Sequence, residues 1–497
     1  MKQRWPGSDD DAREVVQGYG GRHQARAQVV RPESVRELRE ILSRAAREGR
    51  SVTVRGGGQS IDDRAVGGDL VVSTARLDFI EVDAGASRLT VGPGATWGAI
   101  LNRLPRGLVP HVVVTTSAAT AGGTLSADCI SRFSRCFGRE SRHVVRFDLL
   151  TVGDRILTCE PEGENRDVFA AVTAGLGFVG VIVSITYALL DLRALIDGRP
   201  KDQELRVETR ARMHRGFEAT VADLLAPPTW PGEPEAVYAI LGLNGRGVVH
   251  RTRYVAGGED LPPQPIAQRP GPVRMVGEWL MWRGAINRAA WAFGFSVFYG
   301  LRRHFLDDVF GWTFVMDGNA RAVSLARRLG GEVYVLQQTF VIPGSPATAG
   351  ASAARTAEFM RDASRQLEAG GFVPTLFDVL YLPPDPGRDE GGLAVTVAFI
   401  LFDRARVDGL SACLCELSAR CRQLGGHVHM VKDVHAHPED LAAMHGARLE
   451  QLVTVRARLD PRGVLRNDFL DRVVTAAARA AGRADRRSAA PAGPAGA

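Results

Sequence analysis

Three glycine-rich runs in the first half of the chain have the residue types that gather backbone N–H groups around an anion. Arg55-Gly56-Gly57-Gly58-Gln59-Ser60 closes a strand-like stretch, and glycine permits the left-handed angles and close approach that such a cradle needs. Thr115–Gly123 is small and hydroxylic, suited to wrap a pyrophosphate and to let a flat ring pack on backbone. Gly175-Leu176-Gly177-Phe178-Val179-Gly180 turns into a strand-like run. No helical pattern follows the first run, which excludes the dinucleotide fingerprint of a Rossmann unit, and no Lys-Ser/Thr ending makes it a P-loop. Alone, each run is equally a plain turn. Three at these intervals ask for one explanation.

The second half offers a different set. His427, His429, His435, His437 and His445 crowd one stretch and raise the question of a metal, but no carboxylate or cysteine set completes a recognised spacing, so no metal is expected. Lys432-Asp433, inside that stretch, reads by itself as a surface ion pair. The six cysteines include no CxxC pair and are expected as reduced thiols.

These residues need elements to hold them. Glu33–Glu48 has helical spacing of Val35, Leu38, Ile41, Leu42 and Ala45, and Ser51–Val54 follows as a strand leading into the first glycine run. Strands are expected at Leu70–Ser73 and Leu89–Val91, a helix at Thr96–Leu104, and a hairpin of Phe147–Val152 with Arg155–Thr158 turning at Gly153-Asp154. Beyond residue 195 alternating apolar segments appear at Ala236–Leu243, Val333–Val341, Phe377–Leu382 and Leu393–Leu401, separated by helical stretches at Ala353–Ala369 and Val407–Leu424. That texture predicts a second, antiparallel-sheet domain and an α+β fold. The expected division is residues 1–195, then 196–440 with an insertion or lid around 257–310, a returning segment at 441–475, and a disordered tail at 476–497.

With 497 residues, 45% hydrophobic and 24% charged, the chain is expected to form two or three domains and has enough apolar residue to bury a large cofactor. A net charge of +6 without long basic runs argues against a nucleic-acid partner and leaves an anionic small molecule or a membrane surface open. The opening residues are charged and polar, giving no sign of a leader. The longest apolar run, Ala289–Gly300, is about 12 residues, short of the roughly 20 needed to span a bilayer. A cytoplasmic protein with at most peripheral membrane contact is expected.

The order Arg-Gly-Gly-Gly-Gln-Ser, Val-Gly-Pro-Gly, Ala-Gly-Gly-Thr-Leu and Gly-Leu-Gly-Phe-Val-Gly-Val-Ile resembles the PCMH-type FAD-binding domain of the vanillyl-alcohol-oxidase flavoenzymes. Within that group the likeness runs closest to the decaprenylphosphoryl-ribose oxidases and extends over nearly the whole chain. The resemblance implies FAD as cofactor and a second domain that binds substrate as a cap. It implies that Arg55, Gly56, Gly57, Gly58, Gln59, Ser60 and Asp62 hold the pyrophosphate. Thr115, Thr116, Ser117, Ala119, Thr120, Gly122 and Gly123 would line flavin and diphosphate, and Gly175, Gly177, Gly180 and Ile182 would support the adenosine end. Relatives that attach FAD covalently carry a His where this chain has Gln59, and some a Cys near Thr116, so a non-covalent flavin is implied.

By the same resemblance Gly425–Asp433 is a strand ending in a Lys-Asp pair that sets Lys432 over the isoalloxazine, where a protonated amine stabilises reduced flavin. His429, a tyrosine in the relative, is a candidate base. Gln337 with Arg132 would orient substrate, in a pocket shared by Thr339 and Thr396. Departures gather there: Ile61 replaces a tyrosine, Ile130-Ser131-Arg132 a His-Gly-Lys run, Thr339 a glutamine and Thr396 a cysteine, which detaches the substrate from the ribosyl lipid. The expected activity is oxidation of an alcohol on a sugar-like or other small molecule by hydride transfer to flavin, with electrons leaving to oxygen or another acceptor. Two rivals stand beside it: an alkene reductase of the sterol side-chain reductase type, and a flavin-binding protein without turnover.

Overall fold

The computed structural model describes residues 5–6, 13–173, 175–198, 205–256, 320–328, 331–385 and 391–481. The expected insertion at 257–310, with its apolar run, lies outside the described residues.

The first layer grows from the helix Val35–Glu48. Ser34 caps its start by accepting from the Glu37 N–H, Gly49 ends it in the left-handed region, and Leu38, Ile41, Leu42 and Ala45 form its buried face. That face covers a small sheet of β1 (Arg13–Gln17), β2 (Gln24–Val30), β3 (Val52–Arg55) and β4 (Leu70–Ser73), ordered β1-β2-β4-β3 with β2, β4 and β3 parallel. A second, antiparallel sheet follows. β5 (Ile80–Asp83), β6 (Arg88–Val91), β10 (Val181–Asp191), β8 (Val144–Leu150) and β9 (Ile156–Cys159) lie side by side, and β7 (Leu108–Pro110) pairs with the far end of β10. The expected hairpin is β8–β9, with Asp154 in the left-handed region at its turn.

The second domain is one seven-stranded sheet. Its order is β11 (Leu205–Arg215), β13 (Arg246–Ala256), β12 (Glu235–Leu241), β15 (Leu376–Leu382), β16 (Gly392–Leu401), β14 (Tyr334–Ile342) and β17 (His427–Val428), every pair antiparallel. Helices Phe217–Leu225, Ala349–Ala369 and Arg404–Gln423 share a core with one face of it. β16 is buried at every position because the opposite face is covered too, by the first domain.

The chain then returns. Helix Pro438–Leu459 buries Leu441, Leu449 and Leu452 in the core of the second sheet, and Leu465 bridges to Val52 at the edge of the first. Residues 476–481, assigned by composition to an irregular tail, are helical: Val473, Val474 and Ala477 are buried and tie this stretch to the same core. Among the described residues no helix is long and apolar enough to cross a membrane.

Candidate functional site

A cavity of about 300 Å3 lies between the first domain and the helix-free face of the seven-stranded sheet. Its floor is backbone. The loop after β3 lies flat on the Thr115–Gly123 segment: a Cβ on Gly57 would come within 2.0 Å of the Ala118 carbonyl oxygen, and one on Gly56 within 2.3 Å of Thr120 Oγ1. Gly58 takes the left-handed conformation. Gly122 sits on Pro93, donating its N–H to the Pro93 carbonyl at 3.0 Å, so the Val-Gly-Pro-Gly turn belongs to the same floor. Hydrogen bonds from Trp97 N–H to the Ala119 carbonyl and from Gly98 N–H to the Ser117 carbonyl, each 2.9 Å, bolt the hydroxylic loop to the preceding helix Trp97–Arg103. Gly177, left-handed with open space beside it, and Gly180 and Ile182 bring in the third glycine run.

Such a floor fits a dinucleotide. Among the described residues the N–H groups of Gly57, Gly58, Gln59 and Ser60 meet no backbone acceptor, and the buried Thr120 hydroxyl has no hydrogen-bond partner. Buried or converging donors left this way are sites for an anionic guest. Gly56, Gly57, Gly58, Gln59, Ser60, Thr115, Thr116, Ala119, Thr120, Gly122 and Gly123 all line the cavity.

Four expected floor residues do not. The Arg55 guanidinium turns away to the carbonyls of Ala65 at 3.1 Å and Gln17 at 3.0 Å, bracing the loop from behind. Asp62 is buried in a two-pronged ion pair with Arg64, so its charge is already matched. Ser117 offers its carbonyl to Gly98, and Gly175 is packed against the Ala171 carbonyl.

The roof is made of side chains. Strand alternation points Gln337 and Thr339 of β14 into the cavity and sends Gln338 to the helix side, where its Nε2 donates to Ser418 Oγ at 2.7 Å. Thr396 faces Thr339 across the ladder, their hydroxyls 2.9 Å apart, and Asp378 faces Thr396 on the next strand. From the first domain, Arg132 reaches the same wall. Its carbonyl accepts from Val237 N–H at 3.1 Å, and its guanidinium carbon stacks 3.7 Å from the Tyr238 ring centroid.

Lys432 lines the cavity at the rim where floor and roof meet. The strand expected to carry it stops at Val428, and residues 430–432 turn. Hydrogen bonds to β14 continue around the turn, from His429 N–H to the Thr339 carbonyl and from Asp433 N–H to the Gln337 carbonyl, each 2.8 Å. Asp433 is fully buried and pairs with Arg22, not with Lys432, and Arg22 and His435 hold its carboxyl below the usual range against the cost of burial. Arg64 donates from the floor to the carbonyls of Met430 and Lys432. The Lys-Asp pair is therefore two separate devices: Asp433 anchors the turn, and Lys432 faces the cavity without a carboxylate within ion-pair distance among the described residues.

His429 is placed differently from expectation. It lies behind the cavity wall, buried, with Nε2 against the Arg139 guanidinium and Nδ1 accepting from Val431 N–H at 3.2 Å. Burial and Arg139 hold it well below the ordinary histidine range, and both ring nitrogens already face donors. It has no route to a substrate proton. The neighbouring histidines are spent on structure: His435 meets Ser411 Oγ at 2.7 Å, His445 meets the Val428 carbonyl at 2.8 Å, and the described residues hold no metal-binding group of three.

Sequence reasoning missed Asp378 and Arg64. Asp378 is the one carboxylate in the Phe377–Leu382 run, a visible anomaly, but its alignment with Thr396 and Thr339 needs the strand register. Behind the floor a further acid emerges. Glu140 accepts from Tyr187 Oη at 2.7 Å and Thr124 Oγ1 at 2.9 Å, and burial raises its pKa to about 8.

Comparison with known proteins matches residues 26–160 to the FAD-binding domain family. L-gulonolactone oxidase of Bos taurus is 31% identical over 157 residues, 31% of this chain and 35% of the relative. Cytokinin dehydrogenase 3 of Oryza sativa subsp. japonica is 31% identical over 199 residues, 36% of this chain and 38% of the relative. An uncharacterized oxidoreductase, ORF5 in the fasciation locus of Rhodococcoides fascians, is 30% identical over 163 residues, 32% and 37% of the two chains. The chain thus spans a little over a third of the length of these relatives. Its first half carries an FAD-binding domain of the PCMH type, and its cofactor is FAD.

Proposed function

We propose that this FAD-binding chain is an oxidoreductase that oxidises an alcohol carbon of a neutral, sugar-like small molecule, with the flavin held without a covalent bond. The observation that carries the reading is one cavity shared by the glycine floor and by Lys432, Gln337, Thr339 and Thr396 of the roof. The floor residues Gly56–Ser60, Thr115, Thr116, Thr120, Gly122 and Gly123 would hold the cofactor, with Gly177, Gly180 and Ile182 beneath its far part. Bound FAD supplies a hydride acceptor. Lys432 would set a positive charge beside the reduced ring, stabilising the charge that develops as hydride arrives. Gln337 and Arg132 would orient the substrate. Gln59, at the place where relatives that attach FAD covalently carry a histidine, lines the cavity and supports non-covalent attachment. The likeness to the decaprenylphosphoryl-ribose oxidases belongs to this proposal, while the changed pocket residues Ile61, Ile130, Ser131, Thr339 and Thr396 favour a different alcohol. A cytoplasmic site of action, with peripheral membrane contact at most, is the accompanying assignment.

One experiment tests cofactor and attachment together. The purified protein should absorb near ~450 nm, as a flavoprotein does, and acid precipitation should release all of the yellow colour to the supernatant. Anaerobic addition of polyols should then bleach the flavin, and Lys432→Ala should slow bleaching by about a hundredfold while keeping FAD. Reduction by reduced nicotinamide nucleotides with alkene turnover, and none by alcohols, would overturn the reading in favour of the reductase.

A further inference from the structure

Two polar atoms in the cavity wall lack hydrogen-bond partners and are closed to bulk water: Asp378 Oδ1 and Arg132 Nη1. Neither is there by accident of a loose side chain. Asp378 stands on β15 in register with Thr396 and Ile240, so its direction is set by the ladder on both sides. Arg132 is fixed twice, by its carbonyl on Val237 and by its stack on Tyr238, and Tyr238 is in register with Leu380, two residues from Asp378 on the same face. A carboxylate and a guanidinium thus share one wall, close enough to interact, and no ion pair joins them among the described residues. Buried acceptors and donors left open in this way await partners on a ligand.

We propose, resting on the alcohol-oxidising reading above, that Asp378 and Arg132 are a substrate-recognition pair for a vicinal diol, in which Asp378 takes the proton of the hydroxyl being oxidised and Arg132 donates to the neighbouring oxygen. The charges select the class. A carboxylate substrate would be drawn to Arg132 and Lys432 but repelled by Asp378, and an amine the reverse, whereas a neutral diol presents a donor to one residue and an acceptor to the other. In the step itself the substrate O–H bond would break with its proton passing to Asp378 Oδ1, the oxygen lone pair would form the carbonyl, and the hydride of the breaking C–H bond, with its two electrons, would be taken up by the FAD that the floor residues would hold.

The groups facing Asp378 decide its titration. Burial raises its pKa above the ordinary carboxylate value, while Arg132 from the first domain, the Thr396 hydroxyl from the adjacent strand and Lys432 from the rim pull it back. The Thr339 hydroxyl lies behind Thr396, and Tyr238 and His250 stack behind Arg132. Activity that needs ionised Asp378 therefore has an acid limb set above the ordinary carboxylate range.

The test uses the FAD-loaded full chain, anaerobic, with glycerol as the diol and isopropanol as the single alcohol. Glycerol should perturb the flavin spectrum saturably, at least ten times more tightly than isopropanol. Asp378→Asn and Arg132→Met should each weaken glycerol about tenfold to a hundredfold, the cost of losing a hydrogen bond to a charged partner. Asp378→Asn should also abolish the acid limb of glycerol-driven reduction. Thr396→Val, which keeps the carboxylate but removes its hydroxyl, should move that limb to higher pH and serves if Asp378→Asn does not fold. Equal glycerol binding in Asp378→Asn, an unmoved limb in Thr396→Val, or no preference of the native protein for glycerol over isopropanol overturns the pair. Tight, Asp378-dependent glycerol binding with no reduction by any alcohol would instead overturn the parent reading of alcohol oxidation and leave the recognition pair standing.

Discussion

The floor and roof of the cavity are built from opposite materials. The floor is glycine and backbone, with side chains such as Arg55 and Asp62 turned outward to brace it. The roof is a row of side chains on a rigid sheet, Gln337, Thr339, Thr396 and Asp378, whose backbone is consumed by the ladder. A floor of that kind suits a guest that never changes, because N–H groups cannot be exchanged by mutation. A roof of side chains can change its specificity one residue at a time. Thr339 and Thr396 of the roof and the Ile130–Arg132 corner are side chains of this exchangeable kind.

The comparison breaks most sharply at Gly57. A Cβ there meets the Ala118 carbonyl oxygen at 2.0 Å, and backbone on both sides leaves nothing flexible to yield. Gly57→Val should cost about 3 kcal/mol at the cradle, roughly a hundredfold in FAD affinity. Purified variant protein should be colourless or nearly so, with the second domain's helix and sheet signals unchanged by circular dichroism. A fully yellow variant would mean the floor is not the cradle.

Next in size is the anchor between floor and roof. Asp433 receives Arg22 and the Gln337 N–H and fixes the turn that carries Lys432. Asp433→Asn removes a buried charge from that set, and a misplacement of catalytic groups by about 1 Å costs on the order of a hundredfold in rate. Flavin content should be unchanged while reduction slows by roughly ten to a hundredfold. Loss of FAD in this variant would show that floor and roof are not separable.

How far each half could be read from the sequence follows from the same division. A glycine that must be left-handed or nearly touch another segment announces itself locally, so Gly56–Ser60, Thr115–Gly123 and Gly175–Gly180 were legible as runs, and their order carried the family resemblance. What stayed hidden was direction. Arg55 and Asp62 sit among the right residues but face away, and nothing in the run says so. In the roof the strands at Val333–Val341, Phe377–Leu382 and Leu393–Leu401 were legible from alternation, yet Asp378 became a site residue only once β15 was registered against β16. His429 shows the converse: a chemically apt residue, one turn from Lys432, is spent on Arg139 because the chain bends after Val428. Pairing across a sheet is long-range information, and a single sequence does not state it.

A smaller effect lies beneath the floor. Glu140, closed off behind Thr124, has its pKa raised from 4.5 to about 8, chiefly by burial. The folded chain therefore holds a proton that the unfolded chain releases above pH 4.5. Stability from this group is complete below that pH and is lost as pH rises towards about 8, at up to about 1.4 kcal/mol per pH unit. Glu140→Gln should flatten that slope in urea melts at successive pH values, without altering the pH profile of flavin reduction. A reduction profile that moves with Glu140→Gln would draw this acid into the chemistry of the site.

The smallest effect should come from the side chain most conspicuous in the first glycine run. Gln59 lines the cavity, but its amide is only partly buried and donates to the carbonyl of Gly57, two residues away, at 3.2 Å. If the floor binds through backbone, trimming that side chain leaves the cradle's N–H groups where they were. Gln59→Ala should lose about 0.5 kcal/mol or less, the scale of a surface substitution, and FAD titration should show at most a two- to threefold weaker fit. An effect as large as that of Gly57→Val would place the recognition in the Gln59 amide, and the floor would then be a side-chain site like the roof.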